Sequence, residues 1–345
     1  VTLGVLIVSG ARGGWQSAAF FGLVLVSMSL NRFMLAGLSA SLEHTIDADE
    51  YLTANSVMPI VGPVGTIIGA GTGTIARLTL ASVWETYQVD ALLFGIAGIG
   101  FLISLSVSLG FAKTGLGPHP GAISTTARSV LSGLSAALGH IVQHRPAALG
   151  LVTLGIQRIW FGAVSVGVIL LFRNYFHPVA DINPALADLG VWGGLTAAGF
   201  VAASFVTPLA TRRWGLRAWI TMILLACGVF QILPGSILVP WALFTAALVI
   251  GMLSQSIKIC VDTLVQAHLS EEYKGRAFVW YDILLNVVQV ASAAGAAAIL
   301  PPDGASAPVF VVFGLGYLVT GIGFIGVSRL VPAREWAKGV RQGAS

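Results

Sequence analysis

Apolar residues run through this chain in long stretches, broken by short polar turns and showing no strict alternation. A helix needs roughly 20 apolar residues to cross a bilayer. In lipid the backbone must satisfy its own hydrogen bonds, which a helix does within one segment. The missing period of two selects helices over strands. Spans are expected near 16–40, 53–79, 91–112, 147–172, 189–210, 218–237, 240–264, 276–300 and 307–330. The opening VTLGVLIVSG is half a span long and reads as the tail of another helix. The predicted fold is an all-α polytopic membrane protein, with nine full transmembrane helices plus an N-terminal remnant.

Composition removes the soluble alternative. Mean hydropathy is +0.88, with 56% hydrophobic and only 9% charged residues, against about 25% charged in a soluble domain. The formal charge of +4 does not point to nucleic acid, because the basic residues sit in the connections between spans. One set of connections holds twelve of them: Lys113, Arg128, Arg145, Arg212, Arg213, Arg217, Lys274, Arg276, Arg329, Arg334, Lys338 and Arg341. The opposite set holds Arg12, Arg77 and Arg173. Basic residues mark the cytoplasmic side, so the C-terminus is expected inside a bacterial plasma membrane. Cys227 and Cys260 both lie in apolar runs and give neither a disulfide framework nor a metal spacing.

The longest connection divides the chain. Residues 1–112 form the first helical part, 113–146 a cytoplasmic linker, 147–331 a six-helix part and 332–345 a cytoplasmic tail. The linker opens on helix breakers from Gly115 to Gly121. Val130, Leu134, Ala137, Leu138 and Ile141 then recur at helical spacing, predicting an amphipathic helix along the membrane face. SLEHTIDADEYLTANSV (41–57) and TLVQAHLSEEYKGRAFV (263–279) align without gaps, pairing Leu42 with Leu264, Glu50 with Glu272 and Tyr51 with Tyr273. Parallel repeats of this kind build many secondary transporters.

On these residues the chain resembles the major facilitator superfamily (MFS) of secondary transporters, of actinobacterial type. NRFMLAGLSASLEHTIDADEYLTANSV is similar to that family's fourth helix, cytoplasmic turn and start of the fifth. GRAFVWYDILLNV is similar to the start of its eleventh. ATRRWGLRAW resembles its basic loop between helices eight and nine, with Thr211 where an acid is usual. The resemblance implies a twelve-span fold lacking about its first three helices here. It also implies that helices one, four, seven and ten line a central cavity. In that register Arg32 falls in span four, Arg158 in span seven, and Lys258 and Asp262 in span ten.

A charge inside a membrane span is costly and is by default functional, though each one here also has a structural account. Arg158 lies about eleven residues into its span, roughly 16 Å deep at about 1.5 Å per residue. With Gln157 and Trp160 it is a candidate substrate anchor, or half of a structural ion pair. Lys258 and Asp262 are four apart on one helix and can meet. Lys258 is a cavity candidate, and Asp262 is a proton-coupling carboxylate or simply the neutralising partner. Asp282, with Asn286 one turn deeper, gates the cytoplasmic side together with Arg276, or stabilises a helix N-terminus. Arg32 is a cavity charge or snorkels to the inner surface. Gly62, Pro63 and Gly65 partly match the antiporter motif of drug exporters, and also suit plain helix packing.

His140 and His144 lie four apart without an acidic or thiol partner, so a solvated helix face is expected rather than a metal site. GTGT at 71–74 and GLGP at 115–118 are not followed by Lys-Ser/Thr, so no phosphate loop is expected. No nucleophile triad, enzyme activity or cofactor is expected either. The partners implied are a small-molecule substrate, protons and membrane lipids, not nucleic acid. The function implied is secondary active transport by alternating access, as proton-coupled efflux. Uptake of a small metabolite, a non-transporting scaffold or sensor, and a membrane enzyme on lipid-linked substrates are the alternatives.

Overall fold

The computed structural model describes residues 51–80, 82–110, 127–178 and 180–336, with isolated helical positions at 23, 26, 27 and 30. The described elements are all helical, with no strand among them. The expected span at 16–40, the opening remnant and Arg32 lie outside the described residues, apart from those four positions. The chain divides into two units, residues 1–55 with 71–124, and residues 56–70 with 125–345.

Helix α1 (Tyr51–Leu80) covers the expected span at 53–79. In the first unit, its last ten residues are followed by α2 (Thr86–Ser108). A tight turn joins them, closed by Trp84 N donating to Leu80 O at 2.8 Å. Gln88 Oε1 accepts from Glu85 N at 3.0 Å, satisfying one of the free donors at the start of α2. Arg77 and Asp90 make a bidentate ion pair across this turn, with Nη2–Oδ2 at 2.7 Å and Nε–Oδ1 at 3.1 Å. Beyond it residues 101 to 110, the last part of α2 and the turn after it, are all exposed, the surface a lipid-facing helix presents.

The second unit holds the linker helix α3 (Ala127–Gln143), then α4 (Arg145–Leu170), which runs on through a wide π turn at Leu171–Tyr175. There follow α5 (Ile182–Trp214), α6 (Leu216–Ile237), α7 (Pro240–His268), α8 (Glu271–Ile299), α9 (Ala307–Ser328) and a short α10 (Ala333–Trp336). Seven described helices, α2 and α4 to α9, are long and apolar enough to cross a membrane. Predicted ends are off by a few residues in both directions: the span expected at 189–210 is longer at each end, and those at 91–112 and 307–330 stop earlier, at Ser108 and Ser328. The break expected at 210–218 is the single residue Gly215 (φ +80), which ends α5 and begins α6.

Helix α7 is the axis of this unit, packed by α4, α5 and α6. In its most apolar window 61% of residues are buried, against 11% for α8. Between helices already in lipid, burial of apolar surface gains little, so close packing must hold them together. Two interfaces show how. A Cβ on Gly251 would stand 2.6 Å from Thr196 O, and one on Gly199 would collide with Leu248 O, so α5 and α7 touch through backbone. Gly228 and Gly314 bring α6 and α9 together the same way, each hypothetical Cβ lying 2.9–3.0 Å from the other's carbonyl. Cys227 and Cys260 are both fully buried in the core that also holds Leu154, Ile257 and Tyr317.

The amphipathic linker helix forms, and it docks on the protein by one edge. Ala137 and Ile141 are buried, whereas Leu138 and Val142 stay exposed. Trp280 Nε1 donates to Leu134 O at 2.8 Å, fixing α3 to α8. The histidine pair is not a solvated face. The His140 ring stacks on Tyr273 at 4.5 Å and approaches Ser270 Oγ at 3.3 Å, tying α3 to the α7–α8 turn. At the far end of α7, His268 Nε2 meets the Glu335 backbone carbonyl at 2.9 Å, and Trp336 is buried against Phe324.

Candidate functional site

Helix α4 and its π turn form a continuous 31-residue span, Arg145–Tyr175. Arg158 stands two residues before the middle of that span. The residues around it come from three further helices: Ser254, Lys258 and Asp262 from α7, Tyr281 from α8, Tyr317 and Thr320 from α9.

Gln157 is fully buried, and its Nε2 donates to Ser254 Oγ at 2.9 Å. Trp160 Nε1 donates to Thr320 Oγ1 at 3.1 Å, with its ring laid on Gly316. Lys258 Nζ and Asp262 Oδ2 form the expected i, i+4 pair at 2.7 Å, and the ammonium also stands 5.3 Å from the Tyr281 ring centre. Arg158 lies 5.4 Å over the Phe161 ring and within electrostatic reach of Tyr281, Tyr317 and Asp262. It forms no ion pair with any described residue, and its Nε is buried without a hydrogen bond.

A cation over an aromatic face gains about 0.5–2 kcal/mol. Taking a charge out of water costs several kcal/mol even after relaxation. Arg158 is partly exposed, but its Nε is enclosed, and Phe161 offers that nitrogen no acceptor. The deficit is local to this cluster. Among the described residues eight buried side-chain polar atoms make no hydrogen bond, and five of them are here: Gln157 Oε1, Arg158 Nε, Asp262 Oδ1, Tyr281 Oη and Tyr317 Oη. Buried polar groups are normally paired, so such a concentration marks a site rather than a core. A small cavity of about 20 Å³ lies beyond Phe161, between Ser165, Trp192, Thr196 and Gln231. It has room for about one water and none for a solute.

The other expected residues are not part of this cluster. Asp282 and Asn286 are exposed on α8, where Asn286 Nδ2 donates to the Asp282 carbonyl at 2.7 Å. Arg276 is exposed and rests on the linker helix: a Cβ built on Gly133 would stand 3.0 Å from its guanidinium. No ion pair joins Arg276 to Asp282. Sequence reasoning missed Tyr281 and Tyr317, which supply two of the five unpaired atoms. Their only signal is a phenol inside an apolar run.

No family model matches the chain. It is 32% identical over 305 residues to proteins of Mycobacterium bovis and Mycobacterium tuberculosis, each named an uncharacterized MFS-type transporter. The match covers 86% of this chain and 66% of the length of each relative.

Proposed function

Since the chain belongs to the major facilitator superfamily, we propose that it moves a small molecule across the plasma membrane by alternating access, as proton-coupled efflux. The observation that carries this is the gathering of five unpaired buried polar atoms around Arg158, midway along a membrane-spanning helix. A transporter of this kind binds its solute near the midplane and exposes that site to each side in turn. Arg158, Gln157, Trp160 and Lys258 form the described part of the solute site. Asp262 carries the coupling proton: its Oδ2 is held by Lys258 while its Oδ1 is unpaired, so the carboxylate can change partners as the site opens. Asp282 and Asn286, with Arg276, gate the cytoplasmic side, on which the C-terminus also lies.

The test is proton movement in proteoliposomes carrying the chain, against a panel of small amphipathic compounds. Solute-dependent proton flux that is lost in Arg158→Ala and Asp262→Asn is the expected result. Flux lost only in Arg158→Ala returns Asp262 to a structural role. No flux with any compound, from protein shown to be folded, leaves a non-transporting scaffold.

A further inference from the structure

We propose that the Arg158 cluster recognises a solute with one anionic group, an oxyanion such as a carboxylate, on an apolar body. This deepens the transport reading and rests on it for passage, though not for binding. Gln157 Nε2 already has Ser254, and Asp262 Oδ2 already has Lys258. The Tyr281 hydroxyl stands beside Asp262, and the Tyr317 hydroxyl beside Gln157. Neither contact has hydrogen-bond geometry, and Asp262 Oδ1 and Gln157 Oε1 are the acceptors left open. Each open acceptor thus has a phenol beside it, and each phenol both donates and accepts. The guanidinium carries donors and no acceptor, its enclosed Nε has no partner, and the carboxylate nearest it, Asp262, faces Lys258.

Charge gives the same answer independently. Lys258 and Asp262 cancel as a pair, which leaves Arg158 as the unpaired charge of the described cluster; Asp282, next to Tyr281, is exposed. A cationic solute would add to that charge, and a neutral one would leave it. An oxyanion removes it and fits the planar fork with two parallel hydrogen bonds. The surroundings select the rest of the solute. Phe161, Trp160, Tyr281 and Tyr317 supply aromatic surface, and the Trp160 indole N–H is already engaged by Thr320, so its ring is what it offers.

Three matched probes separate the possibilities: 4-phenylbutyrate, 4-phenylbutanol and 4-phenylbutylamine, titrated calorimetrically into the chain in a neutral detergent. The carboxylate is expected to bind at least about tenfold more tightly than the alcohol, with the amine weakest. Arg158→Gln should erase that preference, and Arg158→Lys, which keeps the charge but not the fork, should keep part of it. If Arg158→Gln does not fold, the unaltered protein still decides. Its affinity for 4-phenylbutyrate should fall as the pH drops far enough to protonate the probe, while the alcohol titrates unchanged. The alcohol or amine binding as tightly as the carboxylate overturns the proposal, and so does no binding of the carboxylate. Carboxylate binding without flux would keep anion recognition and remove transport. Flux of other solutes with no preference for the anion would do the reverse.

Discussion

Arg77 sits in the last turn of α1 and Arg158 in the middle of α4, each within a long apolar helix. Arg77 holds both oxygens of Asp90 through two nitrogens. Arg158 has an aromatic ring and no described carboxylate. A bidentate pair spends the whole hydrogen-bonding face of the guanidinium on structure. A guanidinium left with a ring is still available to something else. The same residue type thus fastens a turn in one place and stands open in the other. Charge count alone would have treated them alike.

Changing the two residues separates these roles. Arg158→Ala should reduce solute transport by about 100-fold, roughly the default for removing a buried charged contact, yet leave the thermal unfolding temperature in detergent unchanged or slightly raised. Arg77→Ala should do the opposite. Breaking a fully buried pair costs about 3–5 kcal/mol; this one is about a quarter exposed, so a loss of roughly 1–3 kcal/mol is expected by the same rule. If Arg158→Ala destabilises as much as Arg77→Ala, the distinction fails. The exchange Arg77→Asp with Asp90→Arg should recover most of the lost stability, because the two groups need only each other. Asp262→Asn is an intermediate case: it strands a part-exposed lysine, and about 1 kcal/mol is expected in unfolding experiments. Trp160→Phe removes one hydrogen bond to Thr320 and should cost about 1 kcal/mol or less, seen as a small drop in unfolding temperature.

Much of this was legible in the sequence. Apolar run length located the seven described spans because the bilayer itself sets that length. The Lys258–Asp262 pair was legible because four residues along a helix return to one face. The linker helix was legible from its spacing, although its partner was not. Contacts between helices left no such trace. Gln157 and Ser254 are 97 positions apart, and Trp160 and Thr320 are 160 apart. No period relates residues on different helices, so Tyr281 and Tyr317 looked like two more aromatic residues in apolar runs. Arg77 was counted as a connecting-loop charge because its apolar run fades there. Its carboxylate partner lies 13 residues on, across a turn whose geometry the sequence does not show.

The burial of both native thiols has a practical side. The chain has two cysteines, Cys227 and Cys260, and both are enclosed in the core. Membrane-impermeant maleimides, which attack exposed thiolates, should find almost nothing to modify in the unaltered protein. A cysteine introduced at one chosen position then becomes its own reporter, labelled from whichever side water reaches it. Placed along α4 and α7 one at a time, such reporters would map the route of water through the protein without any native cysteine having to be replaced.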